Sequence, residues 1–89
     1  MKAVVTVVGK DQVGIIAAVC NRLAEYNVNV LDISQTVMQG YFTMMMVVDV
    51  SACNVPLAEL CRNMEESGKE RGLSIRVQRE DIFEAMHRI

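Results

Sequence analysis

The stretch Val4–Ala18, VVTVVGKDQVGIIAA, constrains this chain more than any other. Val4, Val5, Val7 and Val8 form a β-branched run that fits a strand covered on both faces. Gly9 breaks the run, and a short polar loop leads into a helix. Asp11 is placed to cap a helix starting at Gln12, its side-chain oxygen accepting from an otherwise orphaned backbone N–H. Gly14 then falls in the first helical turn, where glycine costs roughly 1 kcal/mol relative to alanine. Close approach of another backbone, or of a small ligand, to the exposed N–H donors offsets such a cost. This loop is therefore where a site is expected.

The rest of the composition bears on what that strand–loop–helix unit belongs to. A chain of 89 residues has room for one domain. It buries only about 60–65% of the surface its unfolded form exposes, so a partner subunit would help it. Hydrophobic residues make up 52% of the chain, yet no apolar run reaches the roughly 18 residues of a membrane span. The surplus fits an oligomer interface better than so small a core. The opening MKAVV runs directly into a strand with no small-residue cleavage site, so no secretory signal is expected. Cys20, Cys53 and Cys61 are odd in number and lack CxxC spacing, which points to reduced thiols in a cytoplasm. A net charge of −2 without a basic cluster argues against nucleic-acid binding.

Taken in order, Gln12 to Tyr26 reads as a helix with Ile16, Val19, Cys20 and Leu23 on its buried stripe, stopped at Asn27. Val28 to Gln39 reads as a strand. Leu31, Ile33 and Val37 share one face; Val30, Asp32, Ser34, Thr36 and Met38 share the other. Gly40-Tyr41 is a turn into the strand Phe42 to Val50, and the short join makes a β-hairpin. Asn54 is expected to cap a second helix with Pro56 in its first turn, and Leu57, Leu60, Cys61 and Met64 form its buried stripe. Gly72 ends that helix. Leu73 to Arg79 alternates as a half-exposed strand. Residues 81–89 form an amphipathic tail helix through Ile82, Phe83, Met86 and Ile89. A helix of nine residues is not stable alone, so its apolar side must dock on the domain or a partner.

The order βαββαβ implies an α+β, ferredoxin-like sandwich: a four-stranded antiparallel sheet with two helices on one face, plus the short C-terminal helix. That layout leaves the opposite sheet face bare. The strand Phe42–Val50 is apolar in both registers, so dimerisation is expected to cover that face or to extend the sheet edge.

Three features together resemble an ACT domain: the βαββαβ order, the loop GKDQVGIIAAV after the first strand, and the segment LAEYNVNVLDISQ entering the second. The ending DIFEAMHRI resembles the small free-standing ACT-domain proteins of bacteria and archaea, so the likeness runs from end to end. The resemblance makes residues 1–80 the ACT domain and 81–89 its tail. It implies a regulatory module that binds an amino acid or similar small molecule as a homodimer or higher homo-oligomer, with no cofactor. It further implies ligand-binding roles for Gly9, Asp11, Gly14, Ile15 and Asn29. Asp11 departs from the asparagine of serine-sensing members: an anionic side chain favours a ligand ammonium and disfavours a nearby carboxylate.

Other functions leave weaker traces. Met44, Met45 and Met46 read as core and interface packing. His87 is the one histidine, with no second ligand at metal spacing. A protein-binding adaptor dimer is the alternative that the apolar tail suggests. An acylphosphatase-like enzyme needs an arginine in the first loop, where this chain has Lys10, and no nucleophile–base pair stands out.

Overall fold

The computed structural model of the protein describes residues 1–87, with side chains described through residue 85. Ile89 and the side chains of Met86 and His87 lie outside the described residues. The elements are β1 (Lys2–Lys10), α1 (Ile15–Glu25), β2 (Asn29–Met38), β3 (Tyr41–Asp49), α2 (Leu57–Glu70), β4 (Ser74–Arg79) and α3 (Glu80–His87). The sheet runs β2-β3-β1-β4, and every neighbouring pair is antiparallel. This is the ferredoxin-like sandwich that the element order implies, with α3 added.

Period-two alternation builds the core. Phe42, Met44, Met46 and Val48 of β3 all point to the helix side and are buried, and they pair across β1 with the buried Val7, Val5 and Ala3. Ile75 and Val77 of β4 continue the same rows. Ile15, Val19 and Leu23 of α1 and Leu60 and Met64 of α2 close over them. Burial of these side chains drives folding at about 25 cal/mol per Å² of apolar surface. The methionines Met44, Met46 and Met64 fill the core between the helices and the sheet, a role suited to an unbranched, flexible side chain.

The helix ends follow local chemistry at the C-termini but not at the N-termini. Asn27 stops α1 with φ 60, donating to Ala24 at 2.9 Å while Val28 donates to Leu23 at 3.0 Å. Gly72 ends α2 through the same pair of bonds, to Lys69 and from Leu73 to Gly68. At the start of α1, Asp11 does not cap. The helix begins at Ile15, Gly14 is the N-cap residue, and no side chain bonds to the first N–H groups. The buried stripe is therefore Ile15, Val19 and Leu23, and Ile16 is partly exposed. Asn54 likewise does not cap α2, whose N-cap residue is Pro56. Its side chain donates instead to Glu25 O at 3.0 Å, while Asn27 donates to Ala52 O at 3.0 Å. The two asparagines lash the β3–α2 loop to the end of α1, a use that cap spacing alone does not reveal.

The hairpin turn is Gln39-Gly40, one residue earlier than the sequence suggests. Both residues have positive φ (50 and 82), the twist that matches flanking strands. On β2 a bulge between Val30 and Asp32 sets Val30 opposite the core residue Val48. Val30 thus lies on the same side as Ile33 and Val37, not with Asp32. The face opposite α1 and α2 is only partly bare: α3 turns back from β4 and packs over β1 and β4, burying Val4. Val8, beyond the reach of α3, is exposed, so β1 is covered on both faces over only part of its length.

Candidate functional site

The β1–α1 loop is held from two sides. The N–H of Asp11 donates to Gly40 O of the hairpin turn at 2.8 Å. The side chain of Gln12 donates to Arg71 O, at the end of α2, at 3.0 Å. Between these anchors the loop projects Val13, which is fully exposed. Gly14 follows with φ 85, in the left-handed region that side-chain-bearing residues adopt only under strain. Nothing lies within 4 Å of where its Cβ would be. The backbone conformation, rather than a close approach within the chain, accounts for glycine here. Replacing Gly14 with alanine should cost about 1 kcal/mol and lower the melting temperature by about 4–8 °C in a circular-dichroism melt; an unchanged melt would contradict this account.

The uncapped start of α1 leaves backbone N–H donors facing outward at the positive end of the helix dipole. The exposed Asp11 stands three residues ahead of Gly14. Ile15 is buried and contributes only its backbone to this mouth. Gly9 lies against the start of β4: a Cβ there would come within 2.5 Å of Leu73 Cδ2. Gly9, Asp11, Gly14 and Ile15 thus gather at one end of the sheet. Asn29 does not join them. It pairs with Asp49, which pairs with Lys2, so it sits at the opposite end. Eight strand steps of about 3.3 Å, ~26 Å in all, separate the two ends of β1.

The edge strand β2 carries the strongest unspent surface. It is ten residues long, lacks proline and lysine, and is exposed apart from Val30. Leu31, Ile33, Val37 and Met38 are all more than a third exposed, and Tyr41 and Met45 extend the apolar area onto β3. Such an edge is a template for pairing with another chain.

Two cavities accompany these features. One, of about 350 Å³, lies between α3 and the outer sheet face. The other, of about 400 Å³, runs along the β4 edge past Cys61. Burial raises the pKa of the Cys61 thiol, which donates to Val77 O at 3.2 Å. The carboxyl of Asp49 is lowered by the side chain and N–H of Ser51, an arrangement that braces the end of β3. Sequence reading missed the α3 cavity. Its trace is the placement of Glu80, Phe83 and Glu84 at i, i+3 and i+4, but only the sheet order brings β2 and β3 beneath them.

The fold is that of an ACT domain, and the family model described as ACT domain matches residues 2–78. The chain belongs to that family, whose members are typically ligand-binding regulatory modules. Within it the chain aligns with UPF0237 proteins: that of Bifidobacterium longum (strain NCC 2705) is 54% identical over 88 residues, covering 99% of this chain and 98% of the relative. An ACT domain protein from Streptococcus pneumoniae superposes with a TM-score of 0.83 at 46% identity, covering 98% of each chain. A formyltetrahydrofolate deformylase from Pseudomonas putida KT2440 shares the fold at a TM-score of 0.77 and 14% identity, over 88% of this chain and 28% of that one. Among the described residues, no helix is long and apolar enough to cross a membrane, and no group of three metal-binding side chains is close enough to hold an ion.

Proposed function

We propose that the protein is a homodimeric, non-catalytic regulatory module that binds an α-amino acid at the mouth of α1. The observation that carries this reading is the uncapped helix start beside a free carboxylate. The ligand carboxylate meets the backbone N–H groups after Gly14, and Asp11 takes the ligand ammonium. Gly9 and the backbone of Ile15 border the same mouth. Nothing lies within 4 Å of where a Gly14 Cβ would be, so one copy leaves the mouth open there. Antiparallel pairing of β2 with the β2 of a second copy sets residue 29 of one strand opposite residue 38 of the other. Met38 pairs with Tyr41, and Tyr41 with Lys10, at the Asp11 end of the sheet. The dyad thus carries Asn29 of the second copy toward Asp11 of the first, across the ~26 Å that separates them within one chain. Ligand binding then stabilises one dimer geometry, which is how such a module reports to the rest of the cell. Three free thiols fit a reducing cytoplasm.

Calorimetric titration with the twenty amino acids tests the reading. Saturable heat is expected for at least one of them. Asp11→Ala should weaken that binding by about 10- to 100-fold, the worth of one charge-assisted hydrogen bond. No heat and no thermal shift with any amino acid would remove the proposal.

A further inference from the structure

The sheet has a second unspent surface, on the face away from α1 and α2. α3 covers this face only where it packs over β1 and β4 near Val4. The outward rows beyond it hold Val8, Tyr41, Met38 and Met45, each 40% or more exposed. The charges on these rows are of one sign. Arg76 pairs with Thr6, two residues before Val8, and Lys10 stands two residues after it. No aspartate or glutamate occurs in residues 6–10 of β1 or in the strand residues that share their rows. The other half of the face is acidic. Asp32 and Asp49 lie in its rows, and α3 adds Glu80, Asp81 and Glu84. Lys2 opposes Asp49, and Arg79 holds Asp81 at 3.2 Å. Among the described residues, none of Lys10, Arg76, Glu80 and Glu84 forms an ion pair.

A face divided in this way fits a copy of itself turned end for end. A dyad that lies in the interface, perpendicular to the strands, sets the acidic half of each copy over the basic half of the other. A dyad parallel to the strands would bring α3 over Asp32 and Asp49 instead, so charge selects the first. Space agrees with it. The ~26 Å of β1 has room for two helices of eight residues, each about 12 Å long and about 10–12 Å across. The molecule measures 35 × 34 × 20 Å, and its broad face exceeds the ~800 Å² that each partner of a standard interface buries. We propose that two copies dock face to face about this dyad. The α3 of each lies on Val8 of the other, with its Glu80 and Glu84 beside the other copy's Lys10 and Arg76. The β2 edges stay free. Their pairing is centred between Ile33 and Ser34, in the rows of Val5 and Thr6 at the middle of β1, where the face dyad also crosses. The two contacts together therefore close a four-chain assembly of D2 symmetry. The face contact rests neither on the β2 pairing nor on the amino-acid reading.

The test is sedimentation velocity over a concentration series, in the full chain carrying Ile33→Lys and Val37→Lys so that the β2 edge is silent. This chain is expected to dimerise through the face. Lys10→Glu with Arg76→Glu, or Glu80→Lys with Glu84→Lys, should each raise the dissociation constant by about 100-fold or more, because both halves of the contact then oppose like charges. Mixed in equal amounts, the two reversed chains should associate with each other as the unreversed chain does with itself, since both halves are again complementary. Lys10 and Arg76 are exposed, so the first reversal should fold as the parent and carries the test by itself. Three results overturn the proposal: the unreversed chain stays monomeric throughout the series, the first reversal associates as strongly as the unreversed chain, or the mixture of folded reversed chains stays monomeric. The β2 pairing is read separately, from the chain without the two edge lysines.

Discussion

Gly68→Ala is expected to destabilise the domain by about 1–2 kcal/mol, against the direction that helix propensity gives. Gly68 is buried in the penultimate position but one of α2. In an exposed helix interior, replacing glycine with alanine gains about 1 kcal/mol. Here a Cβ would lie 2.8 Å from Leu73 O and 2.8 Å from Ile75 Cγ1. The carbonyl is backbone, fixed by the turn that joins α2 to β4, and Ile75 is held in the core. Overpacking of this kind costs about 1–3 kcal/mol, so steric crowding exceeds the propensity gain. Gly68→Val, with two further methyl groups and a stiff χ1, should cost on the order of 4 kcal/mol. A domain of this length has a total stability of only about 4–13 kcal/mol, so the valine variant approaches unfolding. Urea denaturation at unchanged m-value measures both. An alanine variant with a higher midpoint than the parent would show that the α2–β4 contact is loose.

The second large effect concerns the sheet edge. Ile33→Lys with Val37→Lys should split the proposed dimer, raising its dissociation constant by about 100-fold or more, while leaving the monomer's melting temperature nearly unchanged. Both side chains are already about half exposed, at 40% and 55%, and exposed substitutions away from special features shift stability by about ±0.5 kcal/mol. The dyad gathers four lysines along one paired edge, where they repel one another, and charged edges are a standard defence against strand pairing. Sedimentation equilibrium of parent and variant decides the matter. A variant that associates as the parent does would move the interface away from β2.

Local residue chemistry foretold some features of this chain and missed others. Val4–Val8 and Phe42–Val50 declare strands because β-branched and alternating residues fit a pleated surface, whatever lies around them. Asn27 and Gly72 declare helix ends because left-handed conformations are costly for other residues. The starts of both helices differ from what local chemistry predicts. Asp11 and Asn54 are good caps in isolation, but Gly40 O bonds the N–H of Asp11, and Glu25 O takes the side chain of Asn54. These long-range bonds fix where the Asp11 loop sits and which way Asn54 turns, and a sequence window does not contain them. The bulge at Val30–Asp32 was invisible for the same reason, since it is a relation between two strands.

The sequence by itself determined the element order, the two-layer sandwich and the family, because hydrophobic period and turn residues act over a few positions and leave few ways to bury so many apolar side chains. Only the tertiary structure decided where the chemistry stands. It parted Asn29 from Asp11 by the length of the sheet, exposed β2 as an open edge, and brought Asp32 beneath Glu80 and Glu84. Each of these depends on which strand lies beside which, a choice made by packing of the whole chain and not by any stretch of it.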